Sequence, residues 1–169
     1  MSLAYDILYS QKCRSTHHKL AMDALLKLRM DDRQRWVDLF IYYIDWYLEG
    51  AKAPDTSFKD FRNHVLHVGD NYWGGACKTA RKWYDKTVDL FQRRDWPAAV
   101  YSAGVLSHYF TDPFQPFHTG QSEAEGVVHR AEEWSICKSY NDLRKMIERD
   151  LGYPEWEVPE GEDWLEQMI

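Results

Sequence analysis

The sequence predicts an all-α fold, a single-domain helical bundle of about five to seven helices. Three observations carry that reading. Apolar residues recur at helical spacing through most of the chain, and strand-like alternation is nearly absent. Pro and Gly sit where they bound helices rather than strands. Histidines and carboxylates recur four apart inside two of the expected helices. The 169 residues suit one core, and 44% hydrophobic residues are enough to build it.

The first expected helix runs from Thr16 to Met30, with Leu20, Ala24, Leu25 and Leu28 as its apolar face and Ser15 or Thr16 as its cap. The next starts at Asp31 and Asp32, carries the aromatic face Trp36, Phe40, Tyr43 and Tyr47, and stops at Gly50. From Ala51 to Asn71, Pro54, Asp55 and Gly69 predict a functional loop with short helical turns, and Asn71 to Gly75 a turn. A third helix fits Cys77 to Gln92. A fourth starts at Asp95-Trp96-Pro97, with Asp95 as N-cap, and runs to Thr111, where Pro113 blocks continuation. Pro113 to Gly120 is a short loop. A fifth helix runs from about Ser122 to Asp150 and ends at Gly152, after which the tail wraps the surface. Trp73, Trp83, Trp96 and Trp134 are expected in the core.

Composition narrows the function. Acidic residues outnumber basic ones 27 to 21, a net charge of −6 that gives no basic footprint for nucleic acid or anionic lipid. No stable nucleic-acid partner is therefore expected. No stretch approaches the length of uncharged apolar sequence a membrane span needs. Three scattered cysteines, Cys13, Cys77 and Cys137, form no C-x-x-C pair and exclude a thiolate zinc site or disulfide framework. Cys13 is expected as a buried, idle thiol. The beginning Met1-Ser2-Leu3-Ala4 lacks the basic and apolar regions of a signal peptide, which as written predicts a soluble intracellular protein.

The chemistry lies in the second half. His108 and Asp112 share one face of the fourth helix, and His129 and Glu133 share one face of the fifth. His118 falls between the pairs, in the proline-bounded loop. One such pair alone is usually a surface ion pair worth a few tenths of a kcal/mol, about 0.2–0.5. Two pairs joined by a third histidine are a different matter. Imidazole and carboxylate without thiolate suit zinc or another borderline divalent ion, and an incomplete protein ligand set suits hydrolysis.

The segment Leu106-Ser-His-Tyr-Phe-Thr-Asp-Pro-Phe-Gln-Pro-Phe-His118, followed by Val128-His129-Arg-Ala-Glu-Glu133, resembles the metal-binding core of the bacterial zinc-dependent phospholipase C family. The related zinc-dependent single-strand nucleases share this plan but usually end it on Asp, where Glu133 stands here. The resemblance extends upstream through Ala53-Pro54-Asp55, His67 twelve positions on, and Thr16-His17-His18. It implies one zinc-dependent phospholipase C-like domain over residues 1–169, all-helical, hydrolysing phosphodiesters. It further implies that Asp55, His67, His108 and Asp112 hold one zinc, that His118, His129 and Glu133 hold a second, and that His17 and a bridging Asp112 contribute to a third. In the family the third ion also takes the α-amino group and carbonyl of an N-terminal Trp. No Trp precedes Trp36 here, so two zinc ions are expected, with the third site incomplete unless processing completes it.

Asp55 is the expected catalytic residue. The expected partner is a phosphodiester substrate, phospholipid or nucleotide. The family it resembles is largely secreted, which implies a secreted or periplasmic protein if a natural leader has been trimmed from this sequence. His18 would point about 100° away from His17. His64, three before His67, is expected as a hydrogen-bonded surface histidine, Gln121 and Glu125 as solvated or as supports for ligand histidines, and Tyr72 or Phe114 as pocket lining. A zinc-stabilised protein without catalysis is the alternative from another class.

Overall fold

The computed structural model describes residues 3–60, 62–120, 126–152, 157–161 and 164–168. Its helices are α1 (Leu3–Lys12), α2 (Thr16–Leu26), α3 (Arg33–Tyr42), α4 (Ile44–Ala53), α5 (Ala76–Gln92), α6 (Trp96–Thr111), α7 (Pro116–Gly120), α8 (Gly126–Asp150) and α9 (Trp164–Met168). Among the described residues there is no strand, only an isolated bridge between His67 and Trp73. The all-α expectation holds, and no helix of these is long and apolar enough to cross a membrane.

α6 is the centre of the molecule. It buries Ala99, Val100, Ser102, Gly104, Val105, His108 and Tyr109, and packs chiefly on α4 and α5. One core group joins α1 to α4 through Tyr5, Met22, Leu25, Phe40, Ile44 and Leu48, with Val100 of α6. A second collects Ala53, Leu66, Ala76, Ala80, Val105 and Tyr109. Tyr47 lies in the first group and donates its hydroxyl to the Ala21 carbonyl at 2.9 Å.

Several boundaries differ from expectation for identifiable reasons. The expected helix from Asp31 divides at Tyr43, within the run Phe40 to Ile44 of aromatic and β-branched residues that hold helices weakly. The division lets α3 bury Val37 and Phe40 while α4 presents a second face with Ile44, Tyr47, Leu48 and Ala51. Gly50 does not stop α4. A Cβ there would lie 2.2 Å from the Tyr101 carbonyl oxygen, and one on Gly104 would lie 2.2 Å from that of Tyr47. The two glycines are the contact at which α4 and α6 nearly touch backbones. Pro54 then opens a π-helical turn, Pro54–Phe58, closed by Lys59 at φ 50°.

Asp95 precedes α6 but its carboxylate caps nothing, leaving Pro97 in the first turn as the start signal. The loop after α6 is largely helical, a 3₁₀ turn Asp112–Phe114 followed by α7. α1 and α9 fall where no helix was expected. The tail's Trp164 does not lie on the surface but stacks on Phe110 with centroids 5.4 Å apart and is buried in the second core group. Trp73 and Trp134 are exposed, contrary to the core expectation, while Trp83 and Trp96 are partly buried. Cys13 is buried, as expected.

The glycine contact makes a direct prediction. Gly104→Ala should lower the unfolding free energy by about 1–3 kcal/mol in urea melts, because the methyl has only backbone to displace. Gly120→Ala, where a Cβ would meet nothing within 4 Å, should stay within about 0.5 kcal/mol of the parent chain.

Candidate metal centre

Six segments meet at the C-terminal end of α6. α6 itself supplies His108 and, one turn on, Asp112, both buried. The His108 Nδ1–H donates to the Ala51 carbonyl at 2.9 Å, an acceptor only, so Nε2 is left as the nitrogen that faces the site. That bond exists because the glycine contact brings α4 within reach one turn earlier. α2 starts at a Ser15 cap whose hydroxyl accepts the His18 N–H, which sets His17 on the inward face. His18 turns away, its Nε2 3.1 Å from the Leu48 carbonyl oxygen. The π-helical turn after α4 places Asp55 at the mouth, about 40% exposed.

The next ligand-type side chain is His64, not His67. His64 is 2% exposed, with Nδ1 3.1 Å from Asp112 Oδ2, 3.3 Å from His108 Nε2 and 3.5 Å from Asp55 Oδ1. Its loop is held by Asp60, which accepts both Asn63 Nδ2–H bonds at 2.8 Å and the Tyr109 hydroxyl at 3.0 Å. His67 instead pairs its backbone with Trp73 and sets its ring edge-on to that indole, 5.4 Å between centroids. It enters none of the close groupings among the described residues. His67 was expected from the resemblance, twelve positions after Asp55, and the structure brings His64 rather than His67 to Asp55, His108 and Asp112. The only sequence signal for His64 was Asp60 and Asn63 before it, a side-chain-locked turn.

The remaining members are His118 on α7 and His129 with Glu133 on α8. His129 Nε2 is 3.1 Å and His118 Nε2 3.9 Å from Glu133 Oε1. Ligand-type atoms within 4.8 Å of one another form four overlapping groups: His17, His108 and Asp112; Asp55, His64 and His108; His64, Asp112 and His118; His118, His129 and Glu133. Asp112 joins them. Its Oδ2 faces His108 at 3.0 Å and His64, and its Oδ1 faces His17 at 3.5 Å. Gln121 and Glu125 lie outside the described residues, and Tyr72 and Phe114 are surface-exposed.

The donor set fits a cation. His17 Nδ1, His118 Nδ1 and His129 Nε2 are buried ring nitrogens with no hydrogen-bond partner, a costly state that a metal ion relieves. For His129 the Glu133 oxygen is close but misaligned for a hydrogen bond, as two ligands of one ion are. The ionisation pattern agrees. Burial holds His17 well below the ordinary imidazole value, to about 4. Burial pushes Asp112 up, but hydrogen bonds from His108 and His64 outweigh it and hold the carboxyl well below its usual range. Burial lowers His108, but its hydrogen bond to Asp112 wins and raises it. The neighbouring His118 ring, with His129 beside it, holds Glu133 below its usual range against burial. The neutral His17 ring beside the ionised Asp112 carboxylate is the state divalent metals require of their ligands, whereas His108 gives up a proton to bind one.

These elements define an all-α protein with overlapping histidine–carboxylate groups that could hold metal. The family model described as zinc dependent phospholipase C matches residues 16–145, a span that contains every one of those groups. The chain belongs to that family. It is also similar to an alanine–tRNA ligase of Methanocella arvoryzae, 24% identical over 106 residues, which is 63% of this chain and 11% of that protein. The chain thus spans about a tenth of the length of the curated relative it matches. No solved structure matches it significantly.

His64→Ala should reduce the zinc retained per chain on dialysis, while His67→Ala should leave it unchanged. Elemental analysis of the two variants decides the matter, and the reverse result would restore the spacing-based assignment. Acidification should also release the metal. His108 is raised, so protons compete for it above the ordinary imidazole value of about 6.5, and zinc content should fall as pH drops through that region.

Proposed function

We propose that the protein is a zinc-dependent phosphodiesterase of the phospholipase C type. The observation that carries the reading is the overlap of the four groups, which share His108, His64, Asp112 and His118 in turn, so that more than one cation could sit beside a single phosphate. Asp55, His64, His108 and Asp112 would hold one zinc, and His118, His129 and Glu133 a second. His17 would complete a third with Asp112. Zinc, when bound, neutralises phosphate charge and lowers the pKa of a coordinated water toward about 7.

The chain's own residues supply orientation and proton transfer. Asp112 is nearly inaccessible and committed to three histidines, so it organises ligands and does not meet substrate. Asp55 is the open carboxylate, within 3.5 Å of His64 and His108 and 3.8 Å of His17. It is placed to orient an attacking water and accept its proton. Glu133, 44% exposed, flanks the other side of the mouth. The net charge of −6 offers no cationic surface for a polyanion, which favours a phospholipid headgroup over single-stranded nucleic acid. The Glu at 133 points the same way.

The zinc-loaded chain should release diacylglycerol from phosphatidylcholine, and excess chelator should abolish the release. Asp55→Asn should lower the rate by about 10²–10⁴ while most of the zinc is retained. Turnover persisting in excess chelator would sink the proposal. Cleavage of single-stranded DNA in place of lipid would move the protein to the nuclease branch, and a zinc-loaded chain inert on both would leave a structural centre.

A further inference from the structure

α8 carries His129 and Glu133, yet none of its described side chains is buried along its 25 residues. Apolar packing therefore does not set its position, and polar contacts must. Toward its C-terminal half, Asp23 of α2 accepts from the Tyr140 hydroxyl at 3.0 Å and from Arg144 Nη1 at 2.8 Å, and Lys19 Nζ donates to the Cys137 carbonyl. At the metal end a side chain reaches α8 from the connection between α6 and α7. Gln115 Nε2 donates to Glu132 Oε2 at 2.6 Å.

The other end of the same amide is also engaged. Gln115 Oε1 accepts the Phe117 N–H at 2.5 Å and the His118 N–H at 3.2 Å. The amide orientation follows from its neighbours. Two backbone donors require the oxygen, and a carboxylate requires the nitrogen. One planar group thus ties the backbone that bears His118 to the helix that bears the other two members of that group. Glu132 precedes Glu133 by one residue, about 100° around the helix, so anchoring it fixes the rotation of α8 and the direction of the His129–Glu133 row. Phe117, whose N–H is held by the same oxygen, stacks on the His129 ring at 5.3 Å between centroids.

We propose that Gln115 is a positioning residue for the His118, His129 and Glu133 group, acting through Glu132. The proposal rests on the reading of that group as a metal site, and concerns how the chain sets it rather than what it hydrolyses. The bridge can be reversed: Gln115→Glu keeps an acceptor for the two backbone N–H groups but opposes Glu132, and adding Glu132→Gln restores a donor across the gap. The full chain is titrated with zinc against a chromophoric chelator, and helix content and urea stability are measured metal-free. Gln115→Ala and Gln115→Glu should each weaken one zinc ion by about 10- to 100-fold, leaving the other zinc and the metal-free helix content as in the parent. Gln115→Glu with Glu132→Gln should recover the affinity. Parent-like zinc binding in both single variants, or a folded double variant no better than Gln115→Glu alone, overturns the proposal. Should Gln115→Glu not fold, Gln115→Ala and Glu132→Ala carry the same comparison without the repulsion. A parent chain that takes up no zinc removes the metal centre itself, a failure separate from loss of the bridge.

Discussion

The contact of Gly50 with Gly104 is the constraint on which the centre depends. A helix pair normally keeps its axes 8–10 Å apart because side chains separate them. Here a Cβ on either glycine would meet the opposite backbone at 2.2 Å, so neither position tolerates a side chain unless the helices part. The consequence appears one turn further along α6. The carbonyl of Ala51 comes within 2.9 Å of His108 Nδ1, accepts its N–H, and leaves Nε2 directed at Asp112, Asp55 and His64. A packing device in the core therefore determines the protonation pattern of a ligand. Loosening it would cost both stability and the direction of that nitrogen.

Asp112 is the electrostatic counterpart. A carboxylate 4% exposed is expensive to bury unless its charge is matched. Asp112 lies against His64, His108 and His17, and two of these rings respond oppositely: the hydrogen bond to Asp112 raises His108, while burial lowers His17. Divalent cations resolve the conflict. They supply the positive charge and leave the rings neutral, which is why the unpartnered ring nitrogens and the buried carboxylate belong to one account.

What the sequence made legible follows the range of the interaction. His108 with Asp112 and His129 with Glu133 are local helical pairs, so spacing alone placed each on one face, and the structure brings both into the groups. His118 was legible through the prolines that break the chain beside it. His17 and Asp55 came from resemblance, and the structure sets both against the histidines of α6 and its loop. His64 was missed because the local Asp60–Asn63 link says nothing of where the loop docks. Its place depends on Tyr109 reaching Asp60 across 49 residues, and on Leu66 N–H bonding the His118 carbonyl. Gly50 was misread for a related reason. As local grammar a glycine ends a helix, and only the partner at position 104 shows that it is there to admit another backbone. α9 is the same lesson at the tail, since Trp164 gains its place from Phe110 and not from its own short helix.

The centre is consequently built from two unlike halves. The groups around Asp112 are rooted in the core at the end of α6, where buried apolar neighbours and the bond to Ala51 hold His108. The group on α8 hangs from a helix with no buried side chain described, steadied by Asp23 at one end and Gln115 at the other. Apolar burial contributes roughly 25 cal/mol per Å² and resists any displacement, whereas a net hydrogen bond contributes only about 0.5–1.5 kcal/mol. An unoccupied α8 group is thus far freer to shift than the groups around Asp112. Occupation of that group would then do more than add a charge beside the substrate. It would complete the attachment of α8, so that the order of the second half of the site depends on the ion it binds.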